Sequence, residues 1–379
     1  MAERHHVLIN GLSVGSGGGY TVARELLRHL AIARPDWTFT LAVTEGNKLH
    51  EQLRSETLPS NAKLHWAPPD TGRWLARARY ENAGLRDWAF EHRVTRLLQL
   101  NGMIPSRMTL PTLAHNQDPF PYRPEAWEGK AAPFIAFVKR RAHKSALQRA
   151  AVVGFTSAYL RDLMQSRLQV TPKSSHVFYN GLPDDWIART FEPLPDLTHR
   201  PMELLSVSNV APYKRQDLVI KALPALLKRP GLSELVYRIA GACDDGERTR
   251  LTRLAAELGV ERHVVIEGRV PDARVTELLG RARCFVLMSV CESFGIPAIE
   301  AMSYGVPVVT SDCCAMPEVC GDGAELCPVD DVSGLADRVG RVLTDEAYAA
   351  ELRSRGAVRV RAFTWTETAR GMADALEKV

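Results

Sequence analysis

Two carboxylates eight residues apart, Glu292 and Glu300, are the side chains of this sequence best placed to do chemistry. Between them run Ser293, Phe294, Gly295, Ile296 and Pro297, and before them an apolar stretch, Cys284 to Val290, that reads as a buried strand. Pro297 suits the first turn of a helix, and Gly305 suits the residue just past its end. The next apolar run, Val306 to Thr310, reads as a further strand, so the unit is strand, loop, helix, strand. In such units ligands bind at the carboxyl ends of the strands, where backbone N–H groups and the helix dipole favour phosphate. Glu292 then lies in the loop and Glu300 on the first helical turns. One carboxylate can accept hydrogen bonds from a sugar and the other from a ribose, with a diphosphate between them. That is the geometry needed to hold a nucleotide sugar.

Three further places carry chemistry-bearing residues. The run from Gly15 to Gly19, which includes Gly17, Gly18 and Gly19, follows the first strand and would let backbone approach a phosphate or a sugar closely. It is not the G-x-G-x-x-G pattern, because Tyr20 occupies the last glycine position. His115 follows the strand-like piece Thr112 to Ala114 and is followed closely by Asp118. A histidine there is either a hydrogen-bonded structural residue or a group facing a ligand. Lys214 opens a helix after the strand Glu203 to Val207, where a cation can meet a diphosphate.

The stretch from Glu292 to Val309 closely resembles the donor-site signature of family-4 retaining glycosyltransferases. The resemblance implies a GT-B architecture, an α/β fold of two Rossmann-like domains facing a central cleft. It implies that Glu292 holds sugar hydroxyls, that Glu300 holds the ribose, and that Ser293, Phe294, Gly295 and Ile296 surround the donor. It implies that Gly17, Gly18 and Gly19 face donor phosphate and acceptor, and that His115, with Asp118 beside it, positions acceptor or sugar hydroxyls. Gly241 ends the run Tyr-Arg-Ile-Ala-Gly, and the resemblance implies that Gly268, Arg269 and Val270 form the loop that borders the base. The family pattern places Gly-Arg, four intervening residues and Lys at the phosphate. This chain keeps Lys214 but has Ser208-Asn209 in place of Gly-Arg. Either Arg215 substitutes for the missing cation, or Asn209 gives only a neutral hydrogen bond and Lys214 carries more of the load.

The elements that must position these residues alternate between strands and helices in both halves. In the first half strands are expected at His6 to Asn10, Thr38 to Val43, Lys63 to Ala67, Leu97 to Leu100, Thr112 to Ala114, Val152 to Thr156 and Val177 to Tyr179. Helices are expected from about Tyr20 to Ile32, over 74–98, and from Phe134 to Arg149. Leu182 to Pro201 is rich in Pro, Asp and Thr and reads as a linker. The second half continues with strands at Glu203 to Val207, Leu235 to Ala240 and Val264 to Glu267, and helices over Gln216 to Leu227 and near Gly334 to Thr344. This gives two Rossmann-like domains, over 1–185 and 200–365. The resemblance implies that the first binds the acceptor and the second the donor, with a final helix, about 366–379, crossing back onto the first.

Composition sets outer limits. Hydrophobic content of 45% and charged content of 24% are those of a globular chain. No apolar run approaches the ~20 residues that span a bilayer, and the start lacks the apolar core of a signal peptide, so a cytoplasmic protein is expected. Residues 1–190 hold 25 Lys and Arg against 16 Asp and Glu, whereas the whole chain is only +4. The basic stretches Arg73 to Tyr80 and Lys139 to Arg149 suit peripheral contact with anionic lipid at the inner face of the plasma membrane. Nucleic acid is not expected, because no recognised module accompanies the charge. The seven cysteines lack a C-x2-C pair, which argues against zinc, and no metal or other cofactor is expected. The activity that the resemblance implies is hexosyl transfer, mannosyl or glucosyl, from a GDP- or UDP-linked sugar to a glycan or lipid-linked oligosaccharide. The alternatives are a nucleotide-sugar epimerase or hydrolase, and a non-catalytic nucleotide-sugar-binding protein.

Overall fold

A computed structural model describes residues 5–14 and 18–379. The chain divides into two compact units, Met1–Gly181 with Phe363–Val379, and Leu182–Ala362. Each is built on one parallel sheet with helices between the strands, the arrangement that strands separated by helical segments require.

The first sheet has seven strands: β1 (His6–Asn10), β2 (Thr38–Thr44), β3 (Ala62–Ala67), β4 (Arg96–Gln99), β5 (Thr112–Asn116), β6 (Val152–Phe155) and β7 (Ser175–Val177). Their spatial order is 3-2-1-4-5-6-7, so the winding reverses between β1 and β4. The helix Trp365–Glu377, although last in the chain, packs on the helix Gly19–Ala33 of this unit. Arg34 fastens it through Asp374 and Glu377, and Arg96 donates to the Leu376 carbonyl.

The second sheet has six strands: β8 (Glu203–Val207), β9 (Val236–Ala240), β10 (Val264–Gly268), β11 (Cys284–Leu287), β12 (Val308–Ser311) and β13 (Ala324–Cys327). Their order is 10-9-8-11-12-13, and the reversal falls between β8 and β11. All four residues of β11 and all four of β12 are buried, as expected of central strands covered on both faces.

Several expected elements change at their ends. The single helical pattern over 74–98 is two helices, Trp74–Asn82 and Gly84–Glu91, followed by β4. Ala83 leaves helical geometry, and the Tyr80 ring lies where a Cβ on residue 84 would stand. The stretch taken as a linker contains a short helix, Asp184–Arg189. β5 extends two residues beyond Ala114, which puts His115 inside the strand rather than after it.

Candidate functional site

In the second unit the reversal between β8 and β11 leaves a crevice site at the carboxyl ends of those two strands. After β8 the chain runs through Ser208 and Asn209 into a single tight turn, Pro212–Lys214. Arg215 then takes a left-handed conformation and starts the helix Gln216–Leu226. After β11 the buried residues Met288 to Cys291 lead to Glu292. The Val290 N–H donates to the Tyr213 carbonyl at 2.9 Å, which docks the two loops on each other. Lys214 and Glu292 meet there, Nζ to Oε1 at 2.5 Å, with 13% and 12% of their side chains exposed. Burial by itself lowers an ammonium's pKa, but the Glu292 carboxylate outweighs it and holds Lys214 above the ordinary lysine value.

The helix Ile296–Ser303 begins at Gly295, whose left-handed backbone (φ 90°) turns the loop into the helix. The thioether of Met316 sits against Gly295, 2.6 Å from where a Cβ would be, so the position is closed to side chains on both counts. Pro297 occupies the first turn and Gly305 lies just past the end. Among the described residues the backbone N–H groups of Gly295 and Ile296 have no carbonyl acceptor, leaving donors at the positive end of the helix. Phe294 is buried and Ser293 half-buried beside them.

Glu300 stands one turn into the helix, and among the described residues no hydrogen bond or ion pair reaches its carboxylate. Burial, with a smaller contribution from Asp272, pushes its carboxyl up to about 7. Asp272 opens the helix Asp272–Arg281 just after the loop Gly268, Arg269, Val270. That loop is held by Glu267, which pairs with Arg238 at 2.8 Å and Arg274 at 2.7 Å and whose pKa these guanidiniums lower. Arg269 is exposed and Val270 half-buried.

Gly241, Asn209 and Arg215 lie around the β8 turn. Gly241 follows β9 with φ 153°, and a Cβ there would lie 1.8 Å from the Ser208 carbonyl oxygen. Only glycine allows the β8 loop to pass so close. Asn209 is exposed, and its carbonyl accepts from Gln216 at 3.2 Å. Arg215 is drawn to carboxylates, with Nε 3.4 Å from Asp217 and Nη1 3.4 Å from Asp330. The sequence reading gave Lys214 and Glu292 separate tasks and did not foresee that they pair. It also missed Asp272, because an acidic residue in the first turn of a helix is an ordinary complement to the helix dipole.

In the first unit the expected residues stand on separate elements, Gly18 and Gly19 at the start of the helix Gly19–Ala33 and His115 and Asp118 in and after β5. Gly17 lies outside the described residues; Gly18 caps the helix Gly19–Ala33. His115 is 1% exposed, facing Gly154 across the β5–β6 register and close to the Phe178 ring. Among the described residues neither ring nitrogen has a partner, and burial lowers its pKa to about 3, so the ring is neutral. Asp118 is used locally: it accepts from the Phe120 N–H at 3.0 Å and pairs with Lys139 at 2.7 Å. At this unit's own reversal, between β1 and β4, a polar network escaped the sequence reading. Asn10 donates to Glu81 at 2.8 Å and to Gln99 at 3.0 Å, and Gln99 donates to Asn101 at 2.7 Å. Burial raises the pKa of Glu81, and the Asn10 hydrogen bond offsets part of that.

The second unit thus offers, at a sheet reversal, a buried ammonium with donor capacity left, open helix-start N–H groups, and an unpartnered carboxylate one turn away. Such a set can hold a diphosphate with a hydroxyl-bearing group on its far side. Two Rossmann-like domains of this kind make the GT-B fold of glycosyltransferases. HepE of Anabaena, solved in complex with UDP and glucose, matches at a TM-score of 0.75 over 99% of this chain and 100% of its own, at 17% identity. Residues 195–359, nearly the whole second unit, match the family model described as glycosyl transferases group 1. Among curated proteins the chain is 32% identical over 246 residues to the alpha-maltose-1-phosphate synthase of Mycobacterium tuberculosis, covering 60% of this chain and 63% of that protein. It is 30% identical over 171 residues to the D-inositol 3-phosphate glycosyltransferase of Nocardia farcinica, covering 44% of this chain and 38% of that protein. The chain therefore spans less than two thirds of the length of the curated relatives it matches.

Proposed function

We propose that this protein is a retaining glycosyltransferase that moves a hexosyl unit from a nucleoside-diphosphate sugar to a glycan or lipid-linked acceptor. The observation that carries the reading is the group set at the β8–β11 reversal: Lys214 paired with Glu292, with Glu300 left without a partner one helical turn away. The match of residues 195–359 supports the reaction class.

In this reading the Lys214 ammonium keeps one N–H on Glu292 and turns the others to the diphosphate. The Gly295 and Ile296 N–H groups take the remaining phosphate oxygens. As the bond from sugar to phosphate lengthens, negative charge gathers on the leaving diphosphate, and these fixed donors stabilise it more than the ground state. Glu300 accepts hydrogen bonds from ribose hydroxyls, and Glu292 orients the sugar with the oxygen that Lys214 does not hold. With Arg215 directed at Asp217 and Asp330, Lys214 is the principal cation, and Asn209 contributes a neutral hydrogen bond. Gly241, Gly268, Arg269 and Val270 shape the wall toward the base. His115, neutral and enclosed, suits positioning rather than proton transfer.

The test is to incubate the protein with UDP-glucose, UDP-galactose and GDP-mannose plus candidate acceptors, and to read the product's anomeric configuration by NMR. A product keeping the donor's configuration supports the reading. An inverted product, or donor consumed at the same rate without any acceptor, overturns it; the latter outcome points to a hydrolase or epimerase.

A further inference from the structure

The helix Ala132–Arg149 in the first unit is apolar on the outside of its first two turns. Its inward face is set by Ala132, Ala136, His143, Ala146 and Leu147, all buried, and the Tyr122 hydroxyl meets His143 Nδ1 at 2.8 Å. The outward face of its first two turns carries Phe134, Ile135, Phe137 and Val138, exposed by 69%, 44%, 51% and 42%. Four large apolar side chains together on a helix surface make a patch that water disfavours. Farther along the same outward side stand Arg141 and Lys144, both exposed. From residue 130 to 149 there are six basic residues and no acidic one.

A second element repeats the composition. Helix Trp74–Asn82 exposes Trp74 (65%) and Leu75 (53%), with Arg73, Arg77 and Arg79 around them. Both helices grip one loop: Asn82 accepts from Ser106 and the Arg107 N–H at 2.9 Å, and Arg149 donates to the carbonyls of Pro105, Ser106 and Met108.

We infer that the outward face of the helix Ala132–Arg149 docks on an anionic lipid bilayer, with Phe134, Ile135, Phe137 and Val138 entering the boundary between headgroups and acyl chains. Arg141 and Lys144, with Lys130 beside the first turn, then meet lipid phosphates. Charge selects this occupant. An apolar cluster continued along its own helix by the cations Arg141 and Lys144, with no acidic residue between 130 and 149, complements a negatively charged surface with an apolar interior. A second copy of the chain would bring the same cations against themselves. The inference does not depend on the reaction proposed above, and it brings the first unit to the surface where a lipid-linked acceptor would be found.

The experiment is co-sedimentation of the full chain with phosphatidylcholine vesicles, plain or containing about one third phosphatidylglycerol, at about 0.15 M ionic strength. Two double variants, Phe134→Ser/Phe137→Ser and Arg141→Gln/Lys144→Gln, are compared with the unaltered protein, and each is checked for an unchanged unfolding transition. Binding is expected to the anionic vesicles only. The Arg/Lys variant should bind about 25-fold more weakly, from about fivefold per basic residue, and the Phe variant at least about tenfold more weakly. Absence of binding, equal binding to neutral vesicles, or unchanged binding by both variants overturns the inference. So does a dimer in analytical ultracentrifugation that Phe134→Ser/Phe137→Ser splits, which would show that a second copy covers the face.

Discussion

Lys214 Nζ lies 2.5 Å from Glu292 Oε1, and the two side chains come from opposite sides of the β8–β11 reversal, 78 residues apart in the chain. The contact exists because the Tyr213 carbonyl and Val290 N–H lock their loops together. Each residue is therefore the other's charge partner before any ligand arrives. Removing either leaves a mostly buried charge uncompensated, which is costlier than the intact pair is stabilising.

Substitution of this pair should be strongly non-additive. Lys214→Met and Glu292→Gln are each expected to cost about 2–3 kcal/mol in urea unfolding, and the double variant clearly less than their sum. Additive costs would mean that the pair is not formed in solution. Lys214→Met should also reduce kcat by about a hundredfold or more, since a donor to the leaving diphosphate is lost.

Glu300 gives a pH signature. Its carboxyl is raised to about 7 in the fold, against an ordinary value of 4.5. Between those values the unfolded chain has released the proton and the folded chain still holds it, so stability falls as pH rises through this window. The loss levels off above about pH 7 and is on the order of 3 kcal/mol. Glu300→Gln should flatten that part of the stability profile. A profile of the same slope in the variant would locate the titrating group elsewhere.

Gly241→Ala tests the close pass of the β8 loop. A Cβ would lie 1.8 Å from the Ser208 carbonyl oxygen, at a backbone angle that alanine disfavours. The strands must part or the loop must move, and a cost of about 3 kcal/mol or more is expected from overlap and strain together. Because that loop carries Lys214, donor affinity should fall as well, by a titration of UDP into the variant at a temperature where it is folded.

His115→Leu should separate stability from function. Both imidazole nitrogens are buried and without partners among the described residues, so an apolar replacement of similar size should stabilise the fold by about 1 kcal/mol. If the ring positions acceptor or sugar, kcat should nevertheless drop by about tenfold. A variant that is more stable and fully active would make His115 a packing residue alone.

Much of the fold could be read from the chain. The strands His6–Asn10 and Glu203–Val207 stand where their apolar runs begin and end, and the Pro297 and Gly305 signals bound the helix Ile296–Ser303. β13 was missed because Ala-Glu-Leu-Cys holds no β-branched or aromatic residue; its place at the edge of the sheet comes from pairing with β12. The break at Ala83 was invisible because it depends on where the Tyr80 ring packs. The Lys214–Glu292 pair and the Asn10–Glu81–Gln99 network unite residues distant in sequence, and no local pattern encodes such pairings. The apolar face at Phe134 to Val138 was legible as composition, but which side of the helix faced outward was not.

The account rests on Glu300 being the ribose acceptor of a nucleotide-sugar site, and proton-linked calorimetry tests this most directly. UDP-glucose and GDP-mannose would be titrated at pH 7 in two buffers of different ionisation enthalpy, into the unaltered protein and into Glu300→Gln. Hydroxyl donors reaching the carboxylate favour its ionised form, so the half-protonated group should release about half a proton on binding. The account predicts that release with one of the two donors, and its disappearance together with at least about tenfold weaker binding in Glu300→Gln. Binding of equal strength in both proteins with no proton released, or no binding of either donor, would contradict it.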